Sequence, residues 1–217
     1  HDEADSANLV TAVICHVFYP EMLPEILGYA ANVPDPKRLV ATTDTEAKAK
    51  DLRAALEVDR RFPGAEVRVV TTNRGRDISA FLLDCADVLR DPGVDLVVKL
   101  HSKKSVQDPP SVSEFFRRHL FQNLVGTPAQ TAQIRQLFAT EPLLGMVFPP
   151  VIHMGLPTMG NGWTLNRVGA EELAPRLGIP TEFPFDHPTP LSPYGSMFWA
   201  RRAALAPLLD AAFTPEE

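Results

Sequence analysis

The chain is short of three things: it has two cysteines, no apolar run near the ~20 residues that cross a bilayer, and no surplus of positive charge. Each shortage excludes something. Cys15 and Cys85 both lie in hydrophobic segments, with no further cysteine and no clustered histidine, so there is no zinc pattern and two buried, reduced thiols are expected. Reduced thiols point to the cytoplasm. The formal net charge of -6 argues against broad nucleic-acid binding, which needs a basic face to displace counterions. The polar start "HDEADSAN" is neither a signal peptide nor a transit peptide, and residues 1–8 read as a linker or chain edge. Two glycine signatures are also missing. There is no G-x-x-x-x-G-K-[ST], and no G-x-G-x-x-G follows the first strand, so neither a P-loop nor a nicotinamide-binding Rossmann site is supported.

What is present is enough to fold. Hydrophobic residues make up 45% of 217 and charged residues 22%, the balance of a globular chain with one sizeable core. "LVTAVICHVF" reads as a buried first strand and "PEMLPEILGYAANV" as a helix with its prolines near the start, where a missing N–H costs least. "RLVATTD" and "EVRVVTTN" are further strands, "TEAKAKDLRAALEVDRRF" and "RDISAFLLDCADVLRD" are helices, and "VDLVVKLH" is a fourth strand. Asp77 or Ser79 is expected to cap the third helix. This alternation predicts an α/β fold with a mainly parallel sheet. After residue 105 come two helices, a strand at "LLGMVFPP", a Pro/Gly-dense stretch containing a helix at "RVGAEELAPRLG", and a closing strand and helix in "GSMFWARRAALAPLL". One domain over 9–217 is expected, with 9–105 as the nucleotide-binding half and 106–217 as the acceptor-side half.

Ligands of open α/β sheets bind outside the carboxyl ends of the strands. Those ends carry His16 and Tyr19, Thr43 and Asp44, Asn73 through Asp77, and Lys99 through Ser105. In "TTNRGRD", Gly75 permits a tight turn between two arginines that can grip phosphate at a helix start, or else Arg76 and Asp77 pair within the fold. In "VVKLHSKKS", Lys99 sits in an apolar strand and cannot be buried without a partner, and His101 and Lys103 alternate with it on one strand face. An anion site or a solvated basic turn satisfies that pattern. Farther on, "FPFDHP" sets Asp186 beside His187 as a base or ligand pair. His119 reads as structural or exposed, and Trp163 in "GNGW" is a sugar-stacking platform or a core residue.

Taken in order, "CHVFYPEMLPEIL", "NRGRDISAFL", "VVKLHSKKS" and "PYGSMFWARRAAL" resemble the rhamnan synthesis protein F family of bacterial polysaccharide-assembly proteins, over about residue 9 to the end. The resemblance implies a GT-A-like nucleotide-sugar fold and the transfer of a sugar, rhamnose among the options, from a dTDP-, UDP- or GDP-linked donor to a cell-surface glycan or lipid-linked glycan. Further transferase domains are implied as partners, and any nearness to the inner face of the membrane would come through them or the lipid-linked acceptor. GT-A enzymes commonly end the fourth strand in a metal-binding Asp-x-Asp; here the place reads Lys99-Leu100-His101. Cations standing where metal-binding carboxylates are usual imply a donor site without a divalent metal or other cofactor. Lys99, His101, Lys103 and Lys104 are then expected at the diphosphate, with Arg76 assisting and His16 in the same pocket. Asp44 and Asn73 are placed at ribose and base, or serve as cap and turn residues, and Asp77 orients Arg76 or binds sugar hydroxyls. Asp186 is the expected general base of an inverting transfer, with Glu114 and His153 as rivals, and His153 and Trp163 are assigned to the acceptor. "GSMFW" walls the acceptor site or anchors the last strand. The alternative function is a non-catalytic nucleotide- or glycan-binding domain of a larger assembly protein.

Overall fold

A computed structural model describes residues 6–102, 109–152, 163, 166–179 and 192–214. Its centre is a six-stranded sheet in the order β3-β2-β1-β4-β6-β5. The strands are β1 (Thr11–His16), β2 (Lys37–Thr43), β3 (Glu66–Val69), β4 (Leu96–His101), β5 (Met146–Val147) and β6 (Phe198–Arg201). β1 pairs in parallel with β2 and β4, and β2 with β3, while β6 lies antiparallel between β4 and β5. The expected α/β, mainly parallel sheet is what the chain forms.

The helices divide between the two faces of the sheet as right-handed crossovers require. The chain first winds outward from β1 through α1 (Leu23–Ala30) to β2 and through α2 (Glu46–Val58) to β3. It then turns back over the other face through α3 (Arg76–Leu82) and α4 (Ala86–Arg90) and enters β4 on the far side of β1. α5 (Pro110–Val125) and α6 (Pro128–Thr140) join the α1 and α2 face. α7 (Arg167–Leu173) follows, and α8 (Ala206–Asp210) packs with α3 and α4 through Leu209.

Alternation along the strands sorts side chains into two cores. Val13, Cys15, Leu39, Ala41, Val98, Leu100 and Trp199 bury against α1, α2, α5 and α6. Ala12, Ile14, Val40, Val97, Phe198 and Ala200 bury against α3, α4 and α8. Met197, Phe198 and Trp199 are all core residues, and Trp199 satisfies its indole by donating Nε1–H to the Leu124 carbonyl at 2.9 Å. Both cysteines are buried and unbridged; burial pushes the Cys15 and Cys85 thiols up to about 12 each, as expected of inert core thiols.

Two local expectations differ. The segment expected as a third single helix breaks between Leu82 and Ala86 into α3 and α4. Neither Asp77 nor Ser79 caps α3: Gly75 holds the N-cap position, Ser79 Oγ donates to the Arg74 carbonyl at 2.5 Å, and Asp77 turns to other partners. Thr45, by contrast, caps α2 by accepting from the Lys48 N–H.

Candidate functional site

Strand order reverses between β1 and β4, because β2 and β3 lie on one side of β1 and β4 on the other. In open α/β sheets ligands bind at such a switch point, outside the carboxyl ends of the two strands. His16 ends β1, His101 ends β4, and they are paired in register. Ser102 ties the two ends together: its N–H donates to the His16 carbonyl at 2.8 Å, and its Oγ accepts the N–H groups of Phe18 at 2.9 Å and Tyr19 at 3.2 Å.

The α3 face of the sheet becomes polar as it approaches this edge. Thr42, His16, Lys99 and His101 occupy the positions that continue the row of Val40, Ile14 and Val97, and all four are buried. His16 Nδ1 lies 3.0 Å from Thr42 Oγ1. Burial lowers the His16 pKa against the opposing pull of Asp77, which favours the neutral ring.

Lys99 is among the most buried side chains of the protein, at 1% exposure. Its ammonium donates to Asp77 Oδ2 at 2.5 Å and to the Ser196 carbonyl at 2.8 Å. Ser196 Oγ donates to the same carboxylate oxygen at 2.9 Å, and His101 Nδ1 stands 3.5 Å from it. Burial of Asp77 opposes its charge, yet His101, Lys99 and the two hydrogen bonds outweigh that penalty and hold the carboxyl well below the usual carboxylate range. A lysine inside a strand thus has the partner that burial demands. The partner is supplied by α3, which the Gly75 turn aims back at the sheet.

That turn depends on its glycine. Gly75 has φ 81°, and a Cβ there would stand 2.9 Å from Ser79 Cβ. Arg76 follows at φ 53°. Its side chain is exposed and has no hydrogen bond or ion pair among the described residues, so it is not the partner of Asp77. Arg74 and Asn73 are exposed beside it.

The other expected positions fall as follows. Asp44 lies just beyond β2, where Lys48 holds it at 2.6 Å; the same ammonium sits 3.7 Å over the Phe18 ring. Glu114 is exposed on α5, and Trp163 is partly buried before α7. His119 is a structural residue, with Nε2 2.9 Å from the Pro150 carbonyl. Lys103, Lys104, His153 and Asp186 lie outside the described residues. His16, Asp77, Lys99 and His101 are brought together, with Arg76 at the start of the helix that carries Asp77. Sequence reasoning missed Ser102 and Ser196, although both stand inside motifs it had picked out.

A magnesium or manganese ion needs several hard oxygen ligands. At the end of β4 the residues are an ammonium and an imidazole, and the carboxylate that reaches them among the described residues, Asp77, has Oδ2 committed to Lys99 and Ser196. Among the described residues no three His, Cys, Asp or Glu gather into a metal-binding group. Among the described residues this donor set does not fit a divalent cation.

A six-stranded, mainly parallel sheet flanked by helices, with buried polar side chains at the strand ends of its switch point, is consistent with a GT-A-like fold. The chain belongs to the rhamnan synthesis protein F family, whose model matches residues 1–217. It is also similar to the uncharacterized protein WxcX of Xanthomonas campestris pv. campestris, from strain B100 and from strain ATCC 33913, at 35% identity over 201 residues in each. Those residues are 92% of this chain and 26% of the relatives, so the chain spans about a quarter of their length. The family is named for rhamnan synthesis. Among the described residues no helix is long and apolar enough to cross a membrane.

Proposed function

We propose that the chain is a glycosyltransferase domain that moves a sugar, rhamnose among the options, from a dTDP-, UDP- or GDP-linked donor to a bacterial cell-surface glycan or lipid-linked glycan. The acceptor hydroxyl attacks the anomeric carbon, its proton passes to Asp186, and the bond to the diphosphate breaks with inversion. The bonding electron pair leaves with the nucleoside diphosphate. The gathering of His16, Asp77, Lys99 and His101 at the crevice between β1 and β4, in a polysaccharide-synthesis family, carries this reading.

The roles follow from exposure. Arg76 is exposed and unengaged among the described residues, and can form charge-assisted bonds to phosphate oxygens. His101, with Lys103 and Lys104 just beyond it, adds positive character where the leaving group gains charge. Lys99 works from beneath by holding Asp77, since its ammonium is buried and already bound. Asn73 and Asp44 contact the base and ribose, and His153 and Trp163 the acceptor side. No divalent metal takes part, because cations of the chain occupy the place that metal-binding carboxylates would need.

Release of nucleoside diphosphate from each donor class, with a glycan acceptor and excess chelator, tests the proposal. Turnover that persists in chelator and is abolished by Asp186→Asn is the expected result. Complete loss restored only by manganese or magnesium would sink the metal-free site. Donor binding without turnover under any condition would leave a binding domain instead.

A further inference from the structure

The "GSMFW" motif contributes its apolar residues to the core, but Ser196 does something else. Ser196 reaches across 119 positions of sequence to bond Asp77, while its carbonyl, on the same residue, takes the Lys99 ammonium. Both groups are set by an unusual backbone. Ser196 has φ 53° and Gly195 φ 81°, and the Ser196 N–H closes the turn on the Pro193 carbonyl at 2.8 Å. The turn is also clamped from outside, since a Cβ on Gly195 would come within 2.7 Å of Leu120 Cδ1 and 3.0 Å of Phe116 Cζ on α5. Left-handed backbone on a serine is strained, and such residues concentrate at ligand clamps.

The bonds themselves are lopsided. Lys99 Nζ, Ser196 Oγ and His101 Nδ1 all approach Asp77 Oδ2, at 2.5, 2.9 and 3.5 Å. Asp77 Oδ1 has no hydrogen bond among the described residues, and the side chain keeps 18% of its surface exposed. A carboxylate oxygen accepts donors only, so the chemistry that suits Oδ1 is a hydroxyl. Three groups on one oxygen fix the carboxylate plane, and the other oxygen is left for a ligand.

We infer that Ser196 is a positioning residue for sugar recognition: it orients Asp77 so that Oδ1 accepts a hydroxyl of the donor's sugar. This rests on reading the crevice as a donor site. It goes further by assigning the sugar contact to one oxygen and the orientation of that oxygen to a turn in the distant closing motif.

Ser196→Gly separates this from a merely structural role, because glycine adopts φ 53° without strain, keeps the carbonyl for Lys99, and removes only the hydroxyl. Ser196→Ala, which retains the backbone cost, is the companion variant. Calorimetric titration with UDP, dTDP and GDP and with sugars linked to each is the binding readout. A carbon-detected titration of the Asp77 carboxyl is the readout that needs no ligand. In Ser196→Gly the nucleotide-sugar Kd should rise about tenfold, the loss of one charge-assisted contact, while the free nucleotide Kd stays the same. The Asp77 carboxyl should titrate at higher pH in both variants. Unchanged nucleotide-sugar affinity, an equal loss for nucleotide and nucleotide sugar, or an unmoved Asp77 titration would each overturn the inference while the donor-site reading stood. A wild-type protein that bound no nucleotide and no nucleotide sugar would remove both together.

Discussion

Along the same three strands, neighbouring residues meet opposite surroundings at the carboxyl edge of the sheet. Cys15, Ala41 and Leu100 enter an apolar core under α1, α2, α5 and α6. His16, Thr42, Lys99 and His101 are as deeply buried on the α3 face, yet each carries a polar group. The apolar face is held by burial alone and its residues are interchangeable within limits of volume. The polar face is stable only as a set, because each buried polar group relies on another for its hydrogen bonds. A crevice that recognises a charged, hydroxyl-rich ligand needs that second kind of surface, and one residue of strand register separates it from the first.

The largest break in this comparison is Lys99→Met. It strands the Asp77 carboxylate beside a buried apolar side chain and should cost about 3–5 kcal/mol in urea unfolding, with loss of nucleotide-sugar binding. Lys99→Met combined with Asp77→Leu should recover most of that stability, since removing both charges avoids the unpaired one, but not the binding. Recovery of binding in the double variant would show that the pair has no role in the ligand site. On the opposite face, Leu100→Ala should cost about 2–5 kcal/mol through lost burial and a cavity, while the folded protein keeps its affinity.

Acid should act on the polar face first. His16 has a lowered pKa when folded, so the unfolded chain binds its proton more readily, and that stabilisation falls away as pH drops from the ordinary histidine range toward the folded value. Asp77 has a depressed pKa, so its contribution is intact above the usual carboxylate range and is lost only below it, as pH falls toward the folded value. Thermal unfolding from pH 7 to pH 3 should therefore show two declines, the first absent in His16→Asn and the second reduced in Asp77→Asn. A single decline unaffected by His16→Asn would contradict this order. The smallest effect on stability belongs to Arg76→Ala, within about 0.5 kcal/mol because the side chain is exposed. Its effect on donor affinity should still be about tenfold or more, and should shrink as salt is added.

Much of the polar edge was legible because period-two alternation and the strand-end rule act locally. Lys99 in an apolar strand demanded a partner, and Gly75 before a helix marked a turn. Cysteines within hydrophobic segments marked inert thiols. The identity of the partner was not legible, since Asp77 and Ser196 reach Lys99 from 22 and 97 positions away. The first turn of α3 looked like a place for a capping carboxylate, but the pull of a buried ammonium outweighed a cap worth about 1 kcal/mol. Asp44 was readable as a ribose ligand or a helix cap; Thr45 is the cap of α2, and Asp44 pairs with Lys48 at 2.6 Å, a contact local spacing could have suggested. The break of one helix into α3 and α4 also escaped, because Leu83 through Cys85 carry neither glycine nor proline to signal it.

The central claim is that the crevice between β1 and β4 takes a nucleotide sugar through cations of the chain. Thermal shift with dTDP-, UDP- and GDP-linked sugars, each in excess chelator and again with magnesium or manganese, tests it most directly, because a ligand that binds only the folded state raises Tm. The expected result is a clear rise with one donor class, undiminished by chelator and reduced in Arg76→Ala. No shift with any donor at millimolar concentration, or a shift that appears only with metal, would contradict it.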